Sequence, residues 1–193
     1  MFKKTILVLL PFLFTACATP PHQSVPLVWK PTSHVGAFST SGLAGVLVTM
    51  GPFKDVRQNP SEIGRNLEEV SKIKTVSTRD EVGAWCSGHM AEVLSQYGLP
   101  IGKSGGTRLT GEVTDFYVDE DETYRARVTI RLKASTPSGK LLWEGNLSGS
   151  ATRFGRSYSL ENYYETLSDA LIDGVDRLLR QTDFLQALKS GAR

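Results

Sequence analysis

Few side chains in this 193-residue chain can carry reactive chemistry, since it holds only two cysteines and three histidines. Cys86 and His89 stand one helical turn apart. Such a pair can bind a metal, but a closed site needs about four ligands and no others accompany it. Cys86 also falls on an apolar stripe, where a free cysteine acts as a small hydrophobe. Gly102-Lys103-Ser104 has the ending of a phosphate loop. Tyr97 occupies the place of that motif's first glycine, and the segment follows a helix where a phosphate loop follows a strand. Asp119-Glu120-Asp121-Glu122 could attract Ca²⁺, but its spacing fits a solvated turn better than a dedicated loop. No Gly-x-Ser-x-Gly word and no nucleophile–base pair is present. No enzyme activity, metal site, cofactor or small-molecule substrate is therefore expected.

What remains is ion pairing. Arg125, Arg127, Arg131 and Lys133 alternate with apolar residues and so share one face of a strand. Guanidinium groups hold carboxylates and phosphates through paired hydrogen bonds. This face could dock an acidic protein patch, peptidoglycan carboxylates or lipopolysaccharide phosphates. The plainer reading is a solvated face whose charges pair across strands with Glu112 and Glu144. On the docking reading, reversing Arg127 and Arg131 to Glu weakens partner capture and leaves thermal stability unchanged.

Cys17 has a different setting. Lys3 and Lys4 precede a short apolar run over residues 6–14, followed by Thr15-Ala16-Cys17. This is the layout of a secretory signal peptide. The run is shorter than the roughly 20 residues a membrane-spanning helix needs. Leu13-Phe14-Thr15-Ala16-Cys17 resembles a lipobox, with Phe14 where that pattern prefers Leu. The resemblance implies a diacylglycerol on the Cys17 sulfur, cleavage after Ala16 and an acylated new amino group. Acyl chains stabilise membrane attachment by about 0.8 kcal/mol per buried CH₂. Ala18, not Asp, follows the cysteine, which resembles default sorting to the outer membrane. Ordinary cleavage at Ala16-Cys17-Ala18 is the alternative.

Cleavage takes the 22 basic residues down to 20, matching the 20 acidic ones. A neutral body has no electrostatic footprint for nucleic acid. With Cys86 its sole remaining thiol, it has no internal disulfide.

The elements that must position these groups follow from periodicity. Residues 1–16 read as the signal peptide, 17–42 as a Pro-, Ser- and Thr-rich tether, and 43–193 as one α+β domain. Within the tether, Val25-Pro26-Leu27-Val28-Trp29 is apolar enough to dock as an extended strand. A buried strand is expected over 45–50 and a weaker one near 70–76. Thr78-Arg79-Asp80-Glu81 fits a capping box and opens a helix over 79–97, ended by Gly98 and Pro100. Three strands follow as a meander over 109–118, 124–135 and 141–152. In the first, apolar positions switch from odd to even, which suggests a bulge or burial on both faces. Ser159 begins a long amphipathic helix, and a short turn of helix over 183–188 ends the chain. The expected architecture is a mostly antiparallel sheet with two amphipathic helices on one face.

This order, the Cys17 context, Asp55-Val56-Arg57 with Ile63-Gly64, the Gln96-Tyr97-Gly98-Leu99 helix end, Asp183-Phe184 and the final Ala192-Arg193 resemble the YajG family of outer-membrane lipoproteins. Gly51-Pro52-Phe53 departs from it by interrupting the first strand. The resemblance implies a periplasm-facing lipoprotein but carries no catalytic residues. The expectation is a non-catalytic protein that binds an envelope protein or peptidoglycan. The alternative is a structural subunit of a larger envelope assembly.

Overall fold

The computed structural model describes residues 22–37, 42–43, 45–68, 72–155 and 159–191. The expected signal peptide and Cys17 lie outside these residues. The elements in order are β1 (His22–Ser24), β2 (Val48–Asp55), β3 (Glu62–Asn66), β4 (Lys74–Ser77), α1 (Val82–Gln96), β5 (Ile101–Gly102), β6 (Thr107–Glu120), β7 (Thr123–Ser135), β8 (Leu141–Phe154), α2 (Leu160–Leu178) and α3 (Thr182–Ser190).

β7 sets the organisation. Tyr124, Ala126, Val128, Ile130, Leu132 and Ala134 are all buried, while the intervening cations point the other way, as a two-residue period requires. β6 and β8 pair antiparallel with its two edges. The register of β6 slips between Val113 and Asp115. This extra residue carries its buried set from Leu109 and Val113 to Phe116 and Val118.

β6 is long enough to take two strands end to end along its other edge. β2 runs parallel to its first half and β3 parallel to its last residues. β4 pairs antiparallel with β3, while β1 and β5 pair parallel with β4 and β2. The sheet is therefore mixed and not mostly antiparallel. Parallel neighbours need a long crossover, and α1 lies within the one from β2 to β6. Three helices are present among the described residues, because residues 182–190 form a full α3.

α1 packs on β2, α2 on β7 and β8, and α3 on β8. α2 comes closest at a glycine pair. A Cβ on Gly149 would lie 2.0 Å from the Ala170 carbonyl oxygen and 2.4 Å from the Gly174 nitrogen. Under α2, the fully buried Glu120 accepts hydrogen bonds from the Tyr124 hydroxyl at 2.5 Å and from the Tyr163 hydroxyl. Burial, then the bond to Glu120, holds the Tyr163 hydroxyl above the usual phenol range.

Helix α1 begins at Val82, three residues later than its capping box predicts, and no side chain caps it. The Thr78 hydroxyl instead accepts the Asp80 N–H at 3.1 Å, and the Asp80 carboxylate accepts the Leu27 N–H at 2.6 Å. The stretch 22–36, assigned to the tether by composition, lies on the body. β1 joins the sheet, and Val25 is buried with its N–H on the Ser77 carbonyl at 2.8 Å. Trp29 stacks on His89 at 4.4 Å and meets Trp85 edge-on. The Lys30 ammonium reaches Glu161 and Glu165, and Asp169 accepts the Thr32 and Ser33 N–H groups at 2.7 and 2.8 Å. Asp55-Val56-Arg57 is a structural staple. Arg57 binds Asp55 and donates to the carbonyls of Glu62 and Phe116.

Candidate interaction face

With the helices on one face, the other carries the charged side chains of β6, β7 and β8. Arg125, Arg127, Arg131 and Lys133 all lie on it, with side chains 45–51 % exposed. Strand pairing also brings Arg65 and Lys54 to its margin, opposite Asp119 and Glu112. Arg108 belongs to it through the parity of β6 before the bulge.

The two ends of this face differ. At the β3 end, Asp119 accepts from Arg65 Nε at 2.6 Å and from Arg127 Nη1 at 2.8 Å. Arg127 Nε reaches Asp115 at 3.2 Å, and Arg125 binds Asp121. Arg127 also lies over the Tyr117 ring, 5.7 Å from its centroid, and the Tyr117 hydroxyl donates to Glu62 at 2.7 Å. Three cations thus meet three carboxylates. Burial pushes the Asp119 carboxyl up, but the hydrogen bonds from Arg127 and Arg65 outweigh it and hold the group below the usual range. Asp121 is held low by Arg125 and by the Thr123 N–H. Asp119 and Asp121 of the acidic turn are thereby committed to ion pairs, and Glu120 to the Tyr124 and Tyr163 hydroxyls.

At the β2 end, Arg131 meets Glu112 at 2.9 Å and Lys133 meets Glu144 at 3.6 Å, each directly across a strand pair. These are the cross-strand pairs expected from the sequence. Lys54 and Arg108 are exposed and make no ion pair among the described residues. Four cations here share two carboxylates.

The ion pairs correct one expectation. Reversal of Arg127 sets a third acid beside Asp115 and Asp119, so it acts on stability as well as on docking. Sequence reading also missed Lys54, Arg65 and Arg108. Arg108 could have been placed by alternation with Leu109. The other two reach the face through parallel pairing with β6, which no local pattern signals.

The other reactive groups have structural surroundings. Cys86 is fully buried, and burial pushes its thiol well above the ordinary range. His89 is engaged by Trp29 and by Glu92 at 3.2 Å. Among the described residues, no three His, Cys, Asp or Glu side chains form a metal-binding group. Among them too, no helix is long and apolar enough to cross a membrane.

An α+β domain with a mixed, curled sheet and one open, charged face has counterparts among solved structures. A Xanthomonas campestris protein of the DUF330 family superposes with a TM-score of 0.54 at 11% identity, over 88% of this chain and 98% of that one. An uncharacterised protein reaches 0.49 at 9% identity, over 82% and 97%. A candidate lipoprotein from Caulobacter crescentus reaches 0.42 at 11% identity, over 55% and 83%. The first shows a shared fold. The likeness is not specific to the YajG family. No family model and no curated protein matches the chain.

Proposed function

We propose that this protein is a non-catalytic envelope lipoprotein, held through acylated Cys17 to the outer membrane on its periplasmic side. Its body binds another envelope component through the open face of the sheet. The observation that carries this reading is a cysteine placed directly after a basic and apolar leader, ahead of a body with no membrane-spanning helix among its described residues. The fold likeness to the DUF330 protein is compatible with it. The open face supports the binding part, because its arginines present planar donors that suit anionic groups.

Mass spectrometry of the mature N-terminus tests the anchor. A triacylated Cys17 is expected, and a free thiol or a start at Thr19 overturns it. In-cell crosslinking followed by affinity capture tests the binding. A discrete envelope partner is expected, and its absence overturns that part.

A structural subunit is the second reading, and β8 favours it. This 14-residue strand pairs only with β7 among the described residues. Its free edge is a template for another chain. Exposed Leu141 and Phe154 stand at its two ends, and Asp173 caps the Ser150 N–H at 2.9 Å. Light scattering on the mature protein decides: a defined oligomer supports this reading, and a monomer at high concentration removes it.

A further inference from the structure

We infer that the β2 end of the open face is a binding site for a phosphate group, most simply a phosphomonoester. This deepens the proposed binding function, on which it rests, by naming the group that the face takes. The site is a depression of about 280 Å³ lined by Lys54, Arg108, Thr110, Glu112, Arg131 and Lys133.

Its shape comes from the interruption in β2. The pairing of β2 with β6 slips between Met50 and Phe53, across Gly51 and Pro52. At Gly51 a Cβ would lie 2.7 Å from Thr110 Cγ2 and 3.1 Å from Arg108 Nε. A side chain at Gly51 would press first on the Thr110 methyl group and then on the Arg108 guanidinium. The irregularity that breaks the strand therefore makes room for the least committed arginine on the face.

Its charge favours phosphate over a single carboxylate. Glu112 and Glu144 neutralise Arg131 and Lys133, leaving Lys54 and Arg108 in excess. Two uncompensated cations match a phosphomonoester, which carries about −1.5 to −2 charges near neutral pH. Arg108 supplies a planar fork, Lys54 a point charge, and the Thr110 hydroxyl a further donor. The β3 end offers no such surplus, since Arg65, Arg125 and Arg127 are held by Asp115, Asp119 and Asp121. The anion site thus occupies only the Arg131–Lys133 half of the cationic strand.

The test uses the full acylated protein in phosphatidylcholine nanodiscs, titrated with inorganic phosphate and separately with acetate while amide resonances are followed. Phosphate is expected to shift the amides of residues 108–112 and 131–133 and to bind roughly tenfold more tightly than acetate. Combined Lys54→Glu and Arg108→Glu should weaken phosphate binding roughly tenfold or more, whereas Arg125→Gln should leave it unchanged. Equal binding of the two anions, or binding untouched by the double reversal, overturns the site. Nanodiscs containing phosphatidic acid identify the source. Weaker phosphate titration there means a lipid headgroup occupies the site, and an unchanged titration means a phosphate outside the bilayer. Equal binding of phosphate and acetate with partner capture intact removes the phosphate site and leaves the binding function standing. Intact phosphate binding with no captured partner does the reverse.

Discussion

Reversing Arg127 and reversing Lys54 make the same change in net charge on the same face, yet their expected costs differ. Arg127→Glu replaces two ion pairs and a ring contact with a carboxylate facing Asp115 and Asp119. Half-exposed pairs contribute up to about 1 kcal/mol each, and like charges set opposite each other are destabilising. A loss of about 1–2 kcal/mol is expected from denaturant unfolding. Lys54→Glu breaks no pair and sets its carboxylate opposite a Glu112 that Arg131 already neutralises, so it should cost less than about 1 kcal/mol. Equal losses would show that the ion-pair ladder does not discriminate between the two ends. The same ladder fixes the acid response. Asp119 is held below its usual range in the fold, whereas an unfolded aspartate titrates near pH 4. Its contribution is therefore fully present above about pH 4 and is lost as pH falls through the depressed folded value. Asp119→Asn should lower stability at neutral pH and flatten the fall below pH 4. A parallel curve, shifted without flattening, would contradict that linkage.

At the scale of elements, the contact of α2 with β8 depends on two glycines. Gly149→Ala sets a methyl against the backbone of Ala170 and Gly174, which cannot rotate away. The helix must shift, at a cost of about 3 kcal/mol and so about 6–12 °C in Tm for a domain of this size. Gly88 lies in α1 with nothing within 4 Å of its would-be Cβ. Gly88→Ala should therefore raise stability by up to about 1 kcal/mol through helix propensity alone. Calorimetry on the two variants should give opposite signs. β7 was legible in the sequence because its alternation is strict, and the bulge in β6 because the parity of its apolar residues changes. α1 was legible in its stripe but not in its start, because the Thr78 hydroxyl accepts the Asp80 N–H in place of a helix N–H. The docking of 22–36 was legible only over 25–29, whose apolar residues marked it. Its anchors, Asp80, Glu92, Glu161 and Asp169, lie more than 50 residues away in the chain. The parallel strands were missed for a similar reason. Short runs such as Ile63-Gly64 report burial, but their partners are fixed by the crossover geometry of the whole sheet. Half of the cationic site was visible as a strand pattern. The rest depended on which carboxylates reach across, and on a glycine whose use is the space it leaves.

For the whole molecule, the docking of 22–36 changes where an acylated Cys17 would hold the body. A free tether over 17–42 would be about 25 residues long, with a mean span of roughly 25–30 Å. The body begins instead at His22, whose strand is paired to β4. Four residues separate Cys17 from His22, and the five fully extended steps between them span at most about 18 Å. Some of that length would be taken up in crossing the headgroup region, so acylation at Cys17 would place the β1–β4 edge at the bilayer surface. A body held this closely cannot search a wide volume for its partner. It must be met at the membrane, or present the far end of the sheet to a partner beyond it. Neutron reflectometry of the acylated protein on a supported phosphatidylcholine bilayer should show protein density starting directly at the headgroups, with no intervening solvent layer. Replacing Asp169 with Ala removes the acceptor for the Thr32 and Ser33 N–H groups and the Thr32 hydroxyl. It should loosen the strap only in its second half, because the β1 pairing and the buried Val25 hold the first. The standoff should therefore stay unchanged in this variant while amide exchange at residues 32 and 33 accelerates. A solvent gap of about 25 Å or more in the parent protein would mean that the whole segment leaves the body when the chain is anchored, and would return it to the role of a free tether.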